Sequence, residues 1–175
     1  EGPLHARDVV VALGPWSGKF ARGMGTELPF FVKRGYHMHY APRGNAGLNR
    51  PVLDYEKGYV VTPMARGLRL TTGAEFAAVD APPSPAHLER VEPFARALYP
   101  LGERRDPEPW LGRRPCLPDM LPVIGASQHQ KGLWMNFGHG HQGFTLGPAT
   151  GEALAAVMSG TKPFVDLAPF RPERY

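Results

Sequence analysis

The sequence predicts an α+β fold: an antiparallel or mixed β-sheet with flanking helices, joined to a strand and a C-terminal helix of α/β character. Three observations carry this reading. Four short segments between residues 36 and 73 show period-two alternation and are divided by the turn residues Lys57-Gly58 and Arg66-Gly67, the pattern of half-buried antiparallel strands. The run DVVVALG, residues 8–14, is continuously apolar and closes on Gly14-Pro15, which reads as a strand buried on both faces, of the kind found in parallel sheets. Apolar residues at helical spacing fill residues 84–99 and the stretch after residue 143.

The elements follow in order. After the first strand come YHMHYA (36–41), PVLDYE (51–56), YVVTPM (59–64) and LRLTTG (68–73), an antiparallel meander. Ser84-Pro85 supplies a cap and a first helical residue. From there Leu88, Val91, Ala95 and Leu98 face inward to about Tyr99, with Pro93 kinking or dividing the helix. WLGRRP, LPVIG and LWMNFG give three more short strands. In the last helix Leu146, Ala149, Ala153 and Val157 form one stripe and Gly160 is the stop. There is no internal repeat and no low-complexity tract.

Composition narrows the function classes. At 175 residues the chain supports one well-cored domain, or a domain and part of another. No apolar run approaches the roughly 18 to 20 residues of a membrane-spanning helix. The 21 Gly and 20 Pro are spread among aromatic and β-branched residues, which suits short strands and tight turns rather than disorder. The net charge of +4 comes mostly from scattered arginines. These suit carboxylates or phosphates and form no basic stripe of the nucleic-acid type, so no nucleic-acid partner is expected. Cys116 is the only cysteine, so a reducing, cytoplasmic setting is expected and no internal disulfide can form. The chain does not start with Met, and no targeting segment precedes the first strand. It is expected to begin inside a longer gene product.

The stretch GHGHQG, residues 138–143, admits three readings. Its glycines have the G-x-G-x-x-G spacing of a dinucleotide-binding turn, and Asp166 lies 23 residues after Gly143, but only nine residues follow Asp166. A complete binding domain needs further strands. His139 and His141, with His37 and His39, suggest a metal site, yet no carboxylate or cysteine completes the spacing, and histidines bonded within loops explain them equally. In the third reading the glycines let the backbone approach a flat ligand. The unpaired N–H groups of the following helix then offer about half a unit of positive charge to a developing anion. A reduced flavin is such an anion.

Three segments in order, DVVVALGPWS, WLGRRPCLPDMLPVIG and LWMNFGHGHQGFTLGPATGEALAAVMSG, resemble the C-terminal half of the FAD-dependent amino acid oxidoreductases, the family of D-amino acid oxidase, glycine oxidase and D-amino acid dehydrogenase. KRGYHMHY and VVTPMARGLRLTTGAEF are most similar to its D-amino acid dehydrogenase branch. The resemblance implies residues 1–28 as the last strand and turn of a FAD-binding domain, 29–113 as a substrate-binding antiparallel sheet, and 114–175 as the return to the FAD-binding domain with its C-terminal helix. The family's N-terminal ADP-binding turn has no counterpart here. That half is expected as a missing partner, beside a small amino acid substrate and a quinone or other electron acceptor. A homo-oligomer and peripheral contact with the inner face of the membrane are open.

The resemblance implies roles residue by residue. Arg114, the second arginine of GRRP, matches the position that grips the substrate carboxylate, a task suited to a bidentate guanidinium; the alternative is a surface salt bridge. Arg113 is expected on the opposite face of the strand. Gly138, His139, Gly140, Gly143 and Thr145 match the segment along the flavin, with backbone N–H donors, although His139 alternatively packs or caps the turn. Gly14, Pro15 and Trp16 match a turn that touches cofactor or simply closes a buried strand. Tyr36 and His37 reach the active site from the sheet, or Tyr36 is ordinary core. Asp119 shapes its loop and holds a backbone N–H or an arginine, and Cys116 is structural. The implied reaction is hydride transfer from the Cα of a D-amino acid to N5 of FAD, with the imino acid hydrolysing to a keto acid. The alternatives are a non-catalytic small-ligand-binding module and a small histidine-site metalloprotein.

Overall fold

The structure, a computed structural model, describes residues 2–175. In chain order it contains β1 (Val9–Val11), a 3-10 turn (Gly14–Trp16), α1 (Ser17–Gly23), β2 (Phe31–Pro42), β3 (Val52–Asp54), β4 (Tyr59–Met64), β5 (Gly67–Thr72) and β6 (Glu75–Phe76). There follow α2 (Ala86–Leu98), β7 (Leu101–Arg104), β8 (Trp110–Cys116), β9 (Val123–Ala126), β10 (Leu133–Phe137), α3 (Gly143–Met158) and two 3-10 turns, Ala168–Phe170 and Pro172–Arg174. The chain divides into two compact units, one made of the residues up to Lys33 with Arg114–Tyr175, the other of Arg34–Arg113. The fold is α+β, as the alternation indicates. Among the described residues no helix is long and apolar enough to cross a membrane.

The Arg34–Arg113 unit is built on a sheet of order β3-β4-β5-β2-β6, with β7 and β8 also pairing β2. Strands β3, β4 and β5 form the meander, and β5 then returns to pair antiparallel with β2, Met38 opposite Leu70. Period-two alternation sends Tyr36, Met38, Tyr40, Tyr59, Val61, Leu68 and Leu70 to one face, where Leu88, Val91 and Ala95 of α2 close the core. Pro93 does not divide α2. Leu98, expected inward, is 58% exposed. The chain turns extended at Tyr99, whose ring packs against the core instead. The remaining position of the stripe is the buried Glu92, held by Arg96 at 2.7 Å and by Arg104.

A second polar lock is deeper. Arg34 is 1% exposed. Its Nε donates to Glu75 Oε2 at 2.9 Å and its Nη2 to the carbonyl of Pro82 at 2.9 Å, while Nη1 donates to the carbonyl of Ala81. A buried guanidinium is tolerated only when its donors are matched in this way.

The other unit holds a three-stranded sheet of order β1-β10-β9, in which β1 runs parallel to β10 with Val9 opposite Leu133, and β9 runs antiparallel. Val11, Leu117, Val123, Leu133, Met135 and Phe137 form its core with Ala21 and Leu28. The expectation that β1 is buried on both faces does not hold here, since Val9 and Val10 are 50% and 42% exposed. With one hydrogen-bonded neighbour, β1 is an edge strand and only Val11 is covered. The expected stripe of α3 also shifts. Ala153 and Leu154 are its buried residues, whereas Ala149 and Val157 are exposed, because the helix rests on β9 and β10 along a narrow line. Gly160, at φ +71°, ends α3, with Thr161 N–H returning to the carbonyl of Ala156.

Replacing Arg34 by Met should leave two carbonyls unmatched and the Glu75 carboxylate with the Tyr36 hydroxyl but no cation, and lower stability by about 2–4 kcal/mol. A urea midpoint equal to that of the parent chain would show that this lock carries no stability.

Candidate functional site

The loop between β10 and α3 owes its course to two glycines. Gly138 has φ +89° and Gly140 φ +59°, conformations that L side chains rarely adopt. A Cβ on Gly138 would lie 2.5 Å from Leu117 Cδ1, and one on Gly140 3.3 Å from Met120 Cε. The positive φ angles favour glycine at both positions, and at Gly138 a Cβ would also have to displace the Leu117 side chain. Gly140 N–H donates to the carbonyl of Pro115 at 2.7 Å, Gln142 N–H to that of His139, and Leu146 N–H opens the helical ladder on Gln142.

The N–H groups of Gly143, Phe144 and Thr145 thus precede the first intrahelical bond. The N-cap residue, Gln142, makes no side-chain cap, and no carboxylate stands in the first turn. Phe144 and Thr145 are exposed. A helix start with amides presented, no competing anion and a glycine approach fits an electron-rich ring edge. His139 turns the other way. Its Nε2 lies 3.0 Å from Thr150 Oγ1, whose proton is directed to the carbonyls of Leu146 and Gly147. The imidazole is therefore the donor through Nε2, and burial lowers its pKa, keeping it neutral. His139 braces the loop against α3 through Thr150.

Across the loop from Gly140 stands the turn after β8. Cys116 is a buried free thiol, its Sγ 3.7 Å from the Cβ position of Gly140 and 3.5 Å from the carbonyl of Arg114. Burial pushes the Cys116 thiol up, which suits a structural role. Asp119 accepts from Leu121 N–H at 3.0 Å and from Arg174 Nε at 2.7 Å. Burial alone would raise its pKa, but hydrogen bonds from Arg174 and Tyr175 bring it down to about 2. Between them Met120 is held at φ +61°, a left-handed conformation that costs an L residue about 1–2 kcal/mol. Met120 and Arg174 escaped the sequence reading. The tight PDMLP segment was the signal for the former; nothing local marks the latter.

The turn after β1 is a second open place. Gly14 has φ +56° with nothing within 4 Å of its Cβ position, and Trp16 is 53% exposed, so Gly14, Pro15 and Trp16 leave a ligand room to approach. Arg114 is half-buried on β8, one residue after Arg113, whose Nε donates to the carbonyl of Val79 at 2.7 Å.

In the Arg34–Arg113 unit, Tyr36 and His37 fall on opposite faces of β2. Tyr36 is buried, its hydroxyl donating to Glu75 Oε2 at 2.9 Å and accepting from Ser84 N–H at 2.7 Å. His37 stacks on Trp110 with ring centroids 4.7 Å apart and meets the edge of His39 at 5.0 Å. Arg69 Nε donates to His39 Nε2 at 3.2 Å, which puts the His39 proton on Nδ1, 3.5 Å from Asp106 Oδ2. Desolvation, then the Arg69 cation, hold the His37 ring neutral down to about pH 4. Among the described residues no group of three or more His, Cys, Asp or Glu is placed to hold a metal ion.

The fold has solved counterparts. Glycine oxidase from Geobacillus kaustophilus matches with a TM-score of 0.82 at 24% identity, over 97% of this chain and 46% of that one, and iminodiacetate oxidase from Chelativorans sp. BNC1 with 0.80, also at 24% identity, over 98% and 47%. These likenesses show a fold shared with those two proteins. Residues 1–157 match the family profile described as DAO, FAD dependent oxidoreductase. The chain belongs to that family, whose cofactor is FAD. It is 31% identical, over 99% of its length, to a D-amino-acid oxidase of Bradyrhizobium diazoefficiens, and 34% identical, over 98%, to a glycine oxidase of Pseudomonas aeruginosa. It spans 42% and 47% of those proteins, less than half their length.

A folded His37 that protonates near pH 4, against 6.5 for the free side chain, contributes stability that is fully present above about pH 6.5 and drains away as pH falls toward 4. His37→Asn should flatten that part of the decline in urea midpoint, with His39 unchanged in both proteins. Superimposable pH profiles would show that the fold does not hold this ring neutral.

Proposed function

We propose that this chain is the C-terminal part of a flavin-dependent oxidoreductase that oxidises a D-amino acid, or a related small amino acid, to an imino acid that water converts to a keto acid. The observation that carries the reading is the uncapped, carboxylate-free start of α3 behind Gly138 and Gly140, in a chain of an FAD-dependent family. When bound, FAD supplies the two-electron acceptor for the hydride leaving the substrate Cα. The chain's own residues supply orientation and charge. The amides of Gly143, Phe144 and Thr145 favour added negative charge on the ring that faces them. Gly14 and Trp16 offer a second contact with cofactor. Arg114 receives the substrate carboxylate through two parallel hydrogen bonds, a grip that fixes a small substrate's direction as well as its charge.

No dedicated base is assigned: the substrate is read as bound through its carboxylate with a neutral amine, its ammonium proton lost before the hydride leaves. The remaining half of a full-length protein, a quinone or another acceptor, and assembly into an oligomer complete this reading.

The full-length protein should purify yellow and turn over D-amino acids. Arg114→Ala should lower kcat/KM by about 10²-fold, chiefly through KM, while Arg114→Lys recovers only part because an ammonium cannot pair bidentately. An apparent substrate affinity untouched by Arg114→Ala would remove the carboxylate role.

A further inference from the structure

We propose that Met120 is a positioning residue for the GHGHQG loop, forced by the C-terminal arm against Gly140 so that the mouth of α3 keeps one geometry toward FAD. The proposal rests on the flavin reading above. Met120 is the sole non-glycine among the described residues with a left-handed backbone, and glycine would occupy that conformation without steric cost. The residue is 40% exposed, so ordinary burial does not account for its holding this conformation.

Its neighbours do. The methyl Cε reaches within 3.3 Å of the Gly140 Cβ position, beside Cys116 Sγ at 3.7 Å, and Sδ accepts a hydrogen bond from Lys33 Nζ at 3.5 Å. A flexible thioether fills an irregular gap of this kind well. The backbone is held in this course from both sides, because one guanidinium bonds the residues that flank Met120. Arg174 donates from Nε to Asp119 Oδ2 at 2.7 Å and from Nη2 to the carbonyl of Leu121 at 2.8 Å, while Met120 N–H is tied to the carbonyl of Leu117 at 3.0 Å. Strain maintained by surrounding bonds marks a place where the side chain does something a relaxed residue would not. Here the thioether occupies the space that a side chain on Gly140 would need, so the loop can shift toward Met120 only by displacing it. The amides that follow Gly140 stay aimed, and donors aimed in advance bind more tightly than donors ordered on binding.

The test uses the full-length protein with three variants, Met120→Gly, Met120→Leu and Arg174→Gln. Met120→Gly should melt at or above the wild-type temperature, since strain is released, yet weaken FAD binding about ten-fold by flavin fluorescence and speed amide exchange at residues 140–145. Met120→Leu refills the gap and should return FAD affinity to within about three-fold of wild type. Arg174→Gln loosens the turn from the other side and should reproduce the faster exchange with Met120 intact. Wild-type affinity and exchange in Met120→Gly would overturn the proposal. So would a fall in melting temperature that tracks the loss of affinity, which would make Met120 ordinary packing. A wild-type protein that takes up no FAD refutes the flavin reading instead, and exchange at residues 140–145 still decides the role of Met120.

Discussion

Backbone amides at the start of a helix must find acceptors, and in α3 the described residues supply no backbone acceptor and no side-chain cap for Gly143, Phe144 and Thr145. Much of the surrounding unit follows from keeping that start open. Gly138 and Gly140 bend the approach through conformations other residues avoid. His139, three residues ahead of the N-cap Gln142, is drawn back to Thr150. The turn after β8 packs beneath the glycines with Leu117, Cys116 and Met120, and Arg174 fastens that turn from the end of the chain. The amides are left to solvent or to a ligand, and a family that uses FAD provides the ligand chemistry that suits them.

The Arg34–Arg113 unit solves a different problem. A sheet covered by a single helix has one apolar face, and the connections that wrap it bring charged residues into places where water is scarce. Arg34 and Glu92 are both buried and both matched, Arg34 by a carboxylate and two carbonyls, Glu92 by two arginines. Such locks add little net energy, but they fix register, because a strand slipped by one residue would strand a charge. On the other face His37, His39, Arg69 and Asp106 are linked ring to ring and charge to ring. The low pKa of His37 is a consequence of that crowding.

Much of this was legible in the chain. Alternation identified β2, β4 and β5, because period two is a property of the strand itself; the structure then showed which side turns inward, with Tyr36, Met38, Tyr40, Val61 and Leu70 in the core. The glycine-lined approach to α3 and its stop at Gly160 were equally plain, since positive φ selects glycine locally. What failed was each inference that needed to know a neighbour. Residues 8–14 promised burial on two faces, but burial depends on what lies alongside, and β1 has one strand beside it. Helical spacing put Leu98 and Val157 inward, but where a helix touches its sheet is decided by the sheet's width and by residues such as Tyr99 that compete for the same space.

By itself the sequence determined the class of fold, because propensity and periodicity are written within a few residues of one another, and the family, through the resemblance of its ordered motifs. Only the tertiary structure decided which groups the side chains meet. The pairing of Arg174 with Asp119 spans 55 positions and that of Arg34 with Glu75 spans 41, and no local pattern encodes a contact made across so much chain. The left-handed Met120 is the sharpest case, a residue whose own preferences point elsewhere and whose place is set by bonds its neighbours make to a distant arginine.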